Sequence, residues 1–356
     1  MINNFYKGER NQMSYIIAIG AYLVLLMIYG LVIAHKKVKT TDDMMTGGHK
    51  IPFIILVGSL LATWCGGGGI TGSAGVVYTG GPWVGALTFA APPIGIILLY
   101  FIAGKVRKSN KVTVPEIMGA RYGTVASIIS ALCVMLAYVG VLATQLKAAA
   151  NILVLLCSSS NIEMSHGTAL AICTVIVVII TVGGGLVSVA YSDAISALIM
   201  IGGFFLAIPI LMHAASTQGA VLSPEKTTLT GGMSGWTILG YFLPSLALML
   251  GDQNMLQRFA SAKNSDEAKK SNIGMFIGEL LVIISIIALV TQAAKLYPSL
   301  DTPSNVIFQV AVDYLPLVFG ALVMCACMAF IVTTADSYLL SSATNLTNDI
   351  YVKYIN

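Results

Sequence analysis

Charge is what this sequence has least of. Only 10% of its 356 residues are Asp, Glu, Lys or Arg, where a soluble domain carries about 25%. So thin a polar surface could not cover the 57% of residues that are apolar. A bilayer removes the difficulty, because lipid solvates the apolar faces of a helix bundle. The net charge of +4 gives no reason to expect a nucleic-acid partner. Histidine is scarce as well. His35, His49, His166 and His213 are scattered at loops and span ends, and none stands near a credible nucleophile. With no catalytic constellation, the chain is not expected to be an enzyme. Cysteine is present but patternless. Cys65, Cys133, Cys173, Cys325 and Cys327 lie inside apolar runs and Cys157 ends one. Their spacing fits neither a disulfide framework nor a zinc site, and small buried side chains suffice to explain them.

What is present is a series of long apolar runs. The first, about 13–34, is too long for a signal-peptide core and is followed by HKKVKT rather than a cleavage site, so it reads as a retained helix. About 20 apolar residues are needed to cross the hydrocarbon core. That rule places spans at roughly 13–34, 51–80, 82–103, 124–156, 166–186, 188–213, 234–256, 271–293 and 314–346. The expectation is an all-α polytopic membrane bundle of about nine helices, forming one transmembrane domain over 13–356 after a short segment at 1–12.

Basic residues set the orientation. Under alternate crossing, Lys36, Lys37, Lys39, Lys50, Lys105, Arg107, Lys108, Lys111, Arg121, Arg258, Lys263, Lys269, Lys270 and Lys353 share one side. Lys7, Arg10, Lys226 and Lys295 lie on the other, and Lys147 falls within a span. The positive-inside rule then predicts an external N-terminus and a cytoplasmic C-terminus in the plasma (inner) membrane.

Two spans contain helix breakers. The second holds ATWCGGGGITGSAG, with glycine at 66–69. Four glycines cost a regular helix about 3–4 kcal/mol relative to alanine, which predicts an unwound stretch at mid-membrane. A close-packed helix face would use small residues at every fourth position rather than in a run. A phosphate-cradling loop would need a following GK[ST], which is missing. The seventh span holds Gly240, Pro244 and Gly251, a second candidate break, with a simple proline kink as the alternative. Spans two and seven are five apart. Interrupted helices in corresponding positions of two repeats point to a transporter's central site.

The last span is rich in hydroxyls, among them Thr333, Thr334, Ser337, Ser341 and Ser342. Most such groups bond back to their own helix. Thr333 and Thr334 differ if they face the broken second span, where hydroxyls and freed carbonyls would form an oxygen site suited to an alkali cation. Ionisable groups within spans are candidate functional residues. Asp193 and Asp252 lie toward span ends, where a solvated role and a pathway role are both open. Glu279, Lys147 and Asp336 lie deeper.

Five stretches give the chain a wider resemblance: ATWCGGGGITGSAGVVY, KVTVPEIMGARYG, GGGLVSVAYSDAIS, DQNMLQRFASAK and TTADSYLLSSATNLTNDIY. In this order, over about 40–356, they resemble the sodium:solute symporter family. The resemblance implies a LeuT-type fold of two inverted five-helix repeats behind a leading helix: here helix 13–34, a first repeat at 51–213 and a partial second at 234–346. It also implies sodium as the co-transported ion and a small organic solute as partner. By motif, the sodium ligands would be the backbone carbonyls of Ala62, Cys65 and Phe330 with the hydroxyls of Thr333 and Thr334. The solute would lie near Thr63, Trp64, Gly68, Gly69 and Gln145. Asp193 matches an acidic residue beside the sodium exit path, with Ser196 where the family usually has Gln.

The ATW–glycine run looks like the choline-transporter branch. Yet Asp252 replaces that branch's tryptophan, so an aromatic cage for a quaternary amine looks incomplete. Leu248 replaces the tyrosine that gates the sugar branch, which argues against sugar. An amino acid, a small carboxylate or a similar metabolite is left open. The family core has ten helices and this sequence supplies eight. The expectations are therefore a sodium-coupled symporter lacking two helices or, as the alternative, a non-transporting fragment or sensor with the same fold.

Overall fold

The computed structural model describes residues 13–159, 162–182 and 184–355. The expected external segment at 1–12 lies outside the described residues. Among those described, the regular secondary structure is helical, and the one β-type contact is a bridge between Ile51 and Ala262.

The helices that build the bundle are numbered in chain order. They are α1 (Met13–Lys37), α2 (Phe53–Trp64), α3 (Gly68–Gly80), α4 (Pro82–Ser109), α5 (Thr124–Ser159), α6 (His166–Val182), α7 (Gly185–Thr217), α8 (Gly235–Gly251), α9 (Gln253–Ser261), α10 (Ser265–Leu296) and α11 (Leu317–Thr344). Short helices at Thr41–Thr46, Val114–Tyr122 and Val306–Asp313 lie between them.

Six helices among the described residues are long and apolar enough to cross a membrane, and the bent pair α2–α3 makes a seventh. Helices α6 and α8 occupy the remaining two expected positions but have only 17 residues each. That is about 26 Å of helix, short of a hydrocarbon core of about 30 Å. Length and composition therefore vouch for seven spans rather than nine. Large apolar side chains line the outer faces: Leu136 is 78% exposed and Leu198 74%. Such faces require lipid rather than water.

The seventh run, expected to break among Gly240, Pro244 and Gly251, parts at Gly251 and not at Pro244. Pro244 stays inside α8, and the helix ends seven residues later at Gly251. Asp252 then leaves the helical region and its carboxylate accepts the Asn254 N–H at 2.8 Å, capping α9. A proline deletes one backbone bond and kinks a helix, whereas an aspartate N-cap starts a new one.

Small residues bring α2 to the centre. A Cβ on Gly58 would stand 2.6 Å from Ala194 Cα in α7. Gly274 and Gly278 of α10 leave room for the Val57 and Leu61 side chains of α2. Close backbone approach through small residues is how membrane helices pack without a hydrophobic driving force between them. On the other side α7 packs along α11, with the Phe204 and Phe330 rings stacked at 5.5 Å. The broken end of α2 is thereby held against the middle of α11.

Candidate functional site

The second span breaks where its glycines begin. Helix α2 ends at Trp64, Cys65 turns out of the helical region, and α3 resumes at an angle of 59°. The interruption falls at Cys65 and Gly66, and Gly68 and Gly69 already belong to the resumed helix.

The freed backbone groups have identifiable partners. In an unbroken helix the Gly67 N–H would close on the Thr63 carbonyl. Instead it donates to Gln145 Oε1 of α5 at 2.6 Å, and the Thr63 carbonyl lies 3.1 Å from Thr334 Oγ1 of α11. The Ala62 carbonyl lies 3.1 Å from Thr333 Oγ1 and 3.4 Å from Thr334 Oγ1. Thr333 Oγ1 is also 2.6 Å from the Ala329 carbonyl and 3.4 Å from that of Phe330.

These contacts hold more acceptors than donors. Two hydroxyls carry one hydrogen each, and four carbonyl oxygens surround them: Ala62, Thr63, Ala329 and Phe330. The Ala329 and Phe330 carbonyls lie inside the unbroken α11 and also serve its own ladder, so the oxygens freed by the break are those of Ala62 and Thr63. The end of α2 also carries the partial negative charge of a helix C-terminus. A buried set of hard oxygens in that field favours a cation without needing a carboxylate. Of the residues expected at a sodium site, Ala62, Phe330, Thr333 and Thr334 are brought together within hydrogen-bond range, and Cys65 stands at the adjoining break.

A cavity of about 320 Å³ adjoins this cluster, near the lower end of small-molecule sites. Trp64, Gly68, Gly69 and Gln145 line it, as do Cys65, Phe330 and Thr334 from the oxygen cluster. A Cβ on Gly68 or Gly69 would meet nothing within 4 Å, so their backbone faces open space. Phe89, Ser245, Leu248, Glu279 and Tyr338 complete the wall. Thr63, expected with the solute residues, does not line the cavity. Its hydroxyl lies 3.0 Å from Ser337 Oγ and 3.4 Å from Asp193 Oδ2, on the far side of α2.

Asp193 sits in a fully buried polar cluster, not at a solvated interface. Its Oδ2 accepts from Ser59 at 2.6 Å and from Arg258 Nη2 at 3.2 Å. Arg258 also donates to Ser59 Oγ and Ser337 Oγ, each at 2.7 Å. Asp193 Oδ1 and Asp336 Oδ2 are buried without a hydrogen-bond partner. Sequence reasoning counted Arg258 among the basic loop residues, but it is 1% exposed. The signal for it was its place on the strongly amphipathic α9, where it follows Asp252 by six residues. Ser196, where a glutamine was expected, lies 2.8 Å from Tyr22 Oη on α1. Asp252 is likewise buried. It is held by Tyr138 and Tyr338, the latter at 2.7 Å, and it stays outside the cavity wall.

Comparison with known proteins agrees with this architecture. The sodium:solute symporter family model matches residues 44–356. The high-affinity choline transporter 1 of Drosophila melanogaster is 25% identical over 366 residues, covering 94% of this chain and 56% of that protein. The sodium/pantothenate symporter of Escherichia coli is 24% identical over 364 residues, covering 96% of this chain and 73% of its own. A substrate-bound, outward-open structure of a sodium-coupled sialic acid symporter superposes with a TM-score of 0.79 at 18% identity, over 96% of this chain and 74% of that one. The chain spans somewhat more than half the length of the choline transporters it matches, 56% for the fly protein and 62% for the mouse protein. It is a multi-pass membrane protein, and it belongs to the sodium:solute symporter family.

Proposed function

We propose that the protein couples the inward movement of sodium to that of a small organic solute across the plasma membrane. The observation that carries this reading is the pairing of the Thr333 and Thr334 hydroxyls with the carbonyls freed at the end of α2. Sodium would be held by the Ala62, Cys65 and Phe330 carbonyls and those two hydroxyls. The solute would lie in the adjoining cavity against Trp64, Gly68, Gly69 and Gln145, with Thr63 supporting the back of the broken helix. Membership of a symporter family and the named solutes of its relatives support the class of activity.

Coupling follows from shared walls. Cys65, Phe330 and Thr334 border both sites, so an ion that pins the break against α11 also fixes part of the solute cavity. A ligand shifts a conformational equilibrium only by its differential affinity for the two states, and the coupling is reciprocal. Asp193, next to Thr63, would lie on the route by which sodium leaves toward the cytoplasm. In this reading 13–34 is the leading helix, 51–213 the first repeat and 234–346 part of the second. The N-terminus is external and the C-terminus cytoplasmic.

The test is thermal unfolding of the purified chain in detergent, with sodium against potassium. Ligands that bind only the folded state raise its melting temperature. Sodium should stabilise the wild type. Thr334→Ala should lose most of that effect, and Thr334→Ser should keep it. An unchanged sodium response in Thr334→Ala would sink the ion-site assignment. Choline and pantothenate, the solutes of two relatives, are natural first ligands for the same assay.

A further inference from the structure

The cavity contains one formally charged side chain, and its sign is negative. Glu279 of α10 lines the wall and is 4% exposed. No Lys, Arg or His belongs to that wall, and among the described residues no cationic side chain lies within ion-pair distance of Glu279. Its hydrogen-bond partner is neutral. The Cys65 thiol donates to Oε2 at 3.2 Å, and Trp64 shares the cavity wall with it. Both come from the last turn of α2 and the break itself.

A carboxylate at membrane depth holds its charge only where a cation meets it, and a neutral thiol does not supply one. Two other buried carboxylates are supplied from within the bundle: Asp193 has Arg258, and Asp252 has the Tyr138 and Tyr338 hydroxyls. Glu279 has instead a face on an open cavity whose remaining walls include Trp64, Phe89 and Tyr338. Aromatic rings attract cations rather than anions. From this we infer that the solute carries a protonated amine, and that the amine binds to Glu279. The inference rests on the symporter reading of the same cavity and names the chemical class of its solute.

Geometry favours an amine with N–H groups over a quaternary one. Little of the carboxylate is accessible, so a hydrogen-bonded ammonium at about 2.8 Å can engage it. A shell of methyl groups would hold the charge farther off. Asp252 lies outside the wall and adds neither a ring nor a charge to it.

The test uses four small probes in saturating sodium: n-propylammonium, n-propanol, propionate and tetramethylammonium. Melting temperatures of the wild type, Glu279→Gln and Glu279→Asp are measured in detergent. Propylammonium should stabilise the wild type, and propanol and propionate should not. Its apparent affinity should fall about tenfold to a hundredfold in Glu279→Gln, the scale of a lost charged hydrogen bond. Glu279→Asp keeps the charge and should keep the preference. Sodium alone should still stabilise both variants, which shows that they fold and that the ion site is intact.

The inference is overturned if no probe acts on the wild type, or if propionate or propanol acts as strongly as propylammonium. It is also overturned if tetramethylammonium matches propylammonium, or if the amine effect survives in Glu279→Gln. If Glu279→Gln loses the sodium response along with the amine response, the carboxylate serves the ion instead, and the inference fails. A wild type that ignores sodium would refute the symporter reading separately.

Discussion

Arg258 and Asp193 form an ion pair at 3.2 Å with both side chains sealed inside the bundle. They come from α9 and α7, and the pair ties both helices to the back of the broken α2 through Ser59 and Thr63. The guanidinium also reaches Ser337, one turn beyond Thr333 on α11. This cluster therefore holds the ion-binding break from behind, while the cavity opens in front.

Removing one partner of that pair should be worse than removing both. Arg258→Met leaves a buried carboxylate without compensation, which costs about 3–5 kcal/mol. The double variant Arg258→Met/Asp193→Leu should recover much of this, because apolar groups of similar size can replace a buried pair at little cost. Thermal unfolding of the wild type, both single variants and the double variant in detergent checks the order. A double variant less stable than Arg258→Met would contradict it.

How much of this was legible in the sequence depended on distance along the chain. The glycine run at 66–69 announced the break, because backbone cost is a local property. The facing hydroxyls Thr333 and Thr334 were legible as a pair on one helix, although their partners lie about 270 residues away. The Asp193–Arg258 pair was not legible. Its members are 65 residues apart, and Arg258 follows a short run that reads as the start of a cytoplasmic loop. Of the three breakers named in the seventh run, Gly251 marks the boundary while the more conspicuous Pro244 stays inside the helix, and the neighbouring Asp252 acts as an ordinary N-cap. Glu279 was visible as an acid in an apolar run. Its role depends on which face of α10 meets α2, and Gly274 and Gly278 set that only in three dimensions.

The glycines of the run are not equivalent, and substitution should separate them. A Cβ at Gly66 would stand 2.9 Å from Thr334 Oγ1 and 3.0 Å from Gln145 Nε2. Gly66→Ala should therefore push Thr334 off the Ala62 and Thr63 carbonyls and weaken the sodium-induced rise in melting temperature. Gly68 has no atom within 4 Å of that position and lies in resumed helix, where alanine is better than glycine by about 0.5–1 kcal/mol. Gly68→Ala should keep both the fold and the sodium response. Equal sodium responses in the two variants would contradict this reading of the break.

Gln145 joins the break to α5, and its replacement should be read locally as well as globally. Its Oε1 accepts the Gly67 N–H at 2.6 Å, and the side chain is 3% exposed. Gln145→Leu fills the space but leaves that N–H buried and unpaired, a penalty of about 1–3 kcal/mol. Gln145→Glu retains an acceptor at the same reach and should keep the Gly67 N–H paired. Hydrogen–deuterium exchange over 66–69 is the direct measurement, since an amide without its acceptor opens more readily. Exchange there should quicken in Gln145→Leu and stay slow in Gln145→Glu, with little change in α7. Equal exchange in all three proteins would mean that the Gly67 N–H does not depend on Gln145.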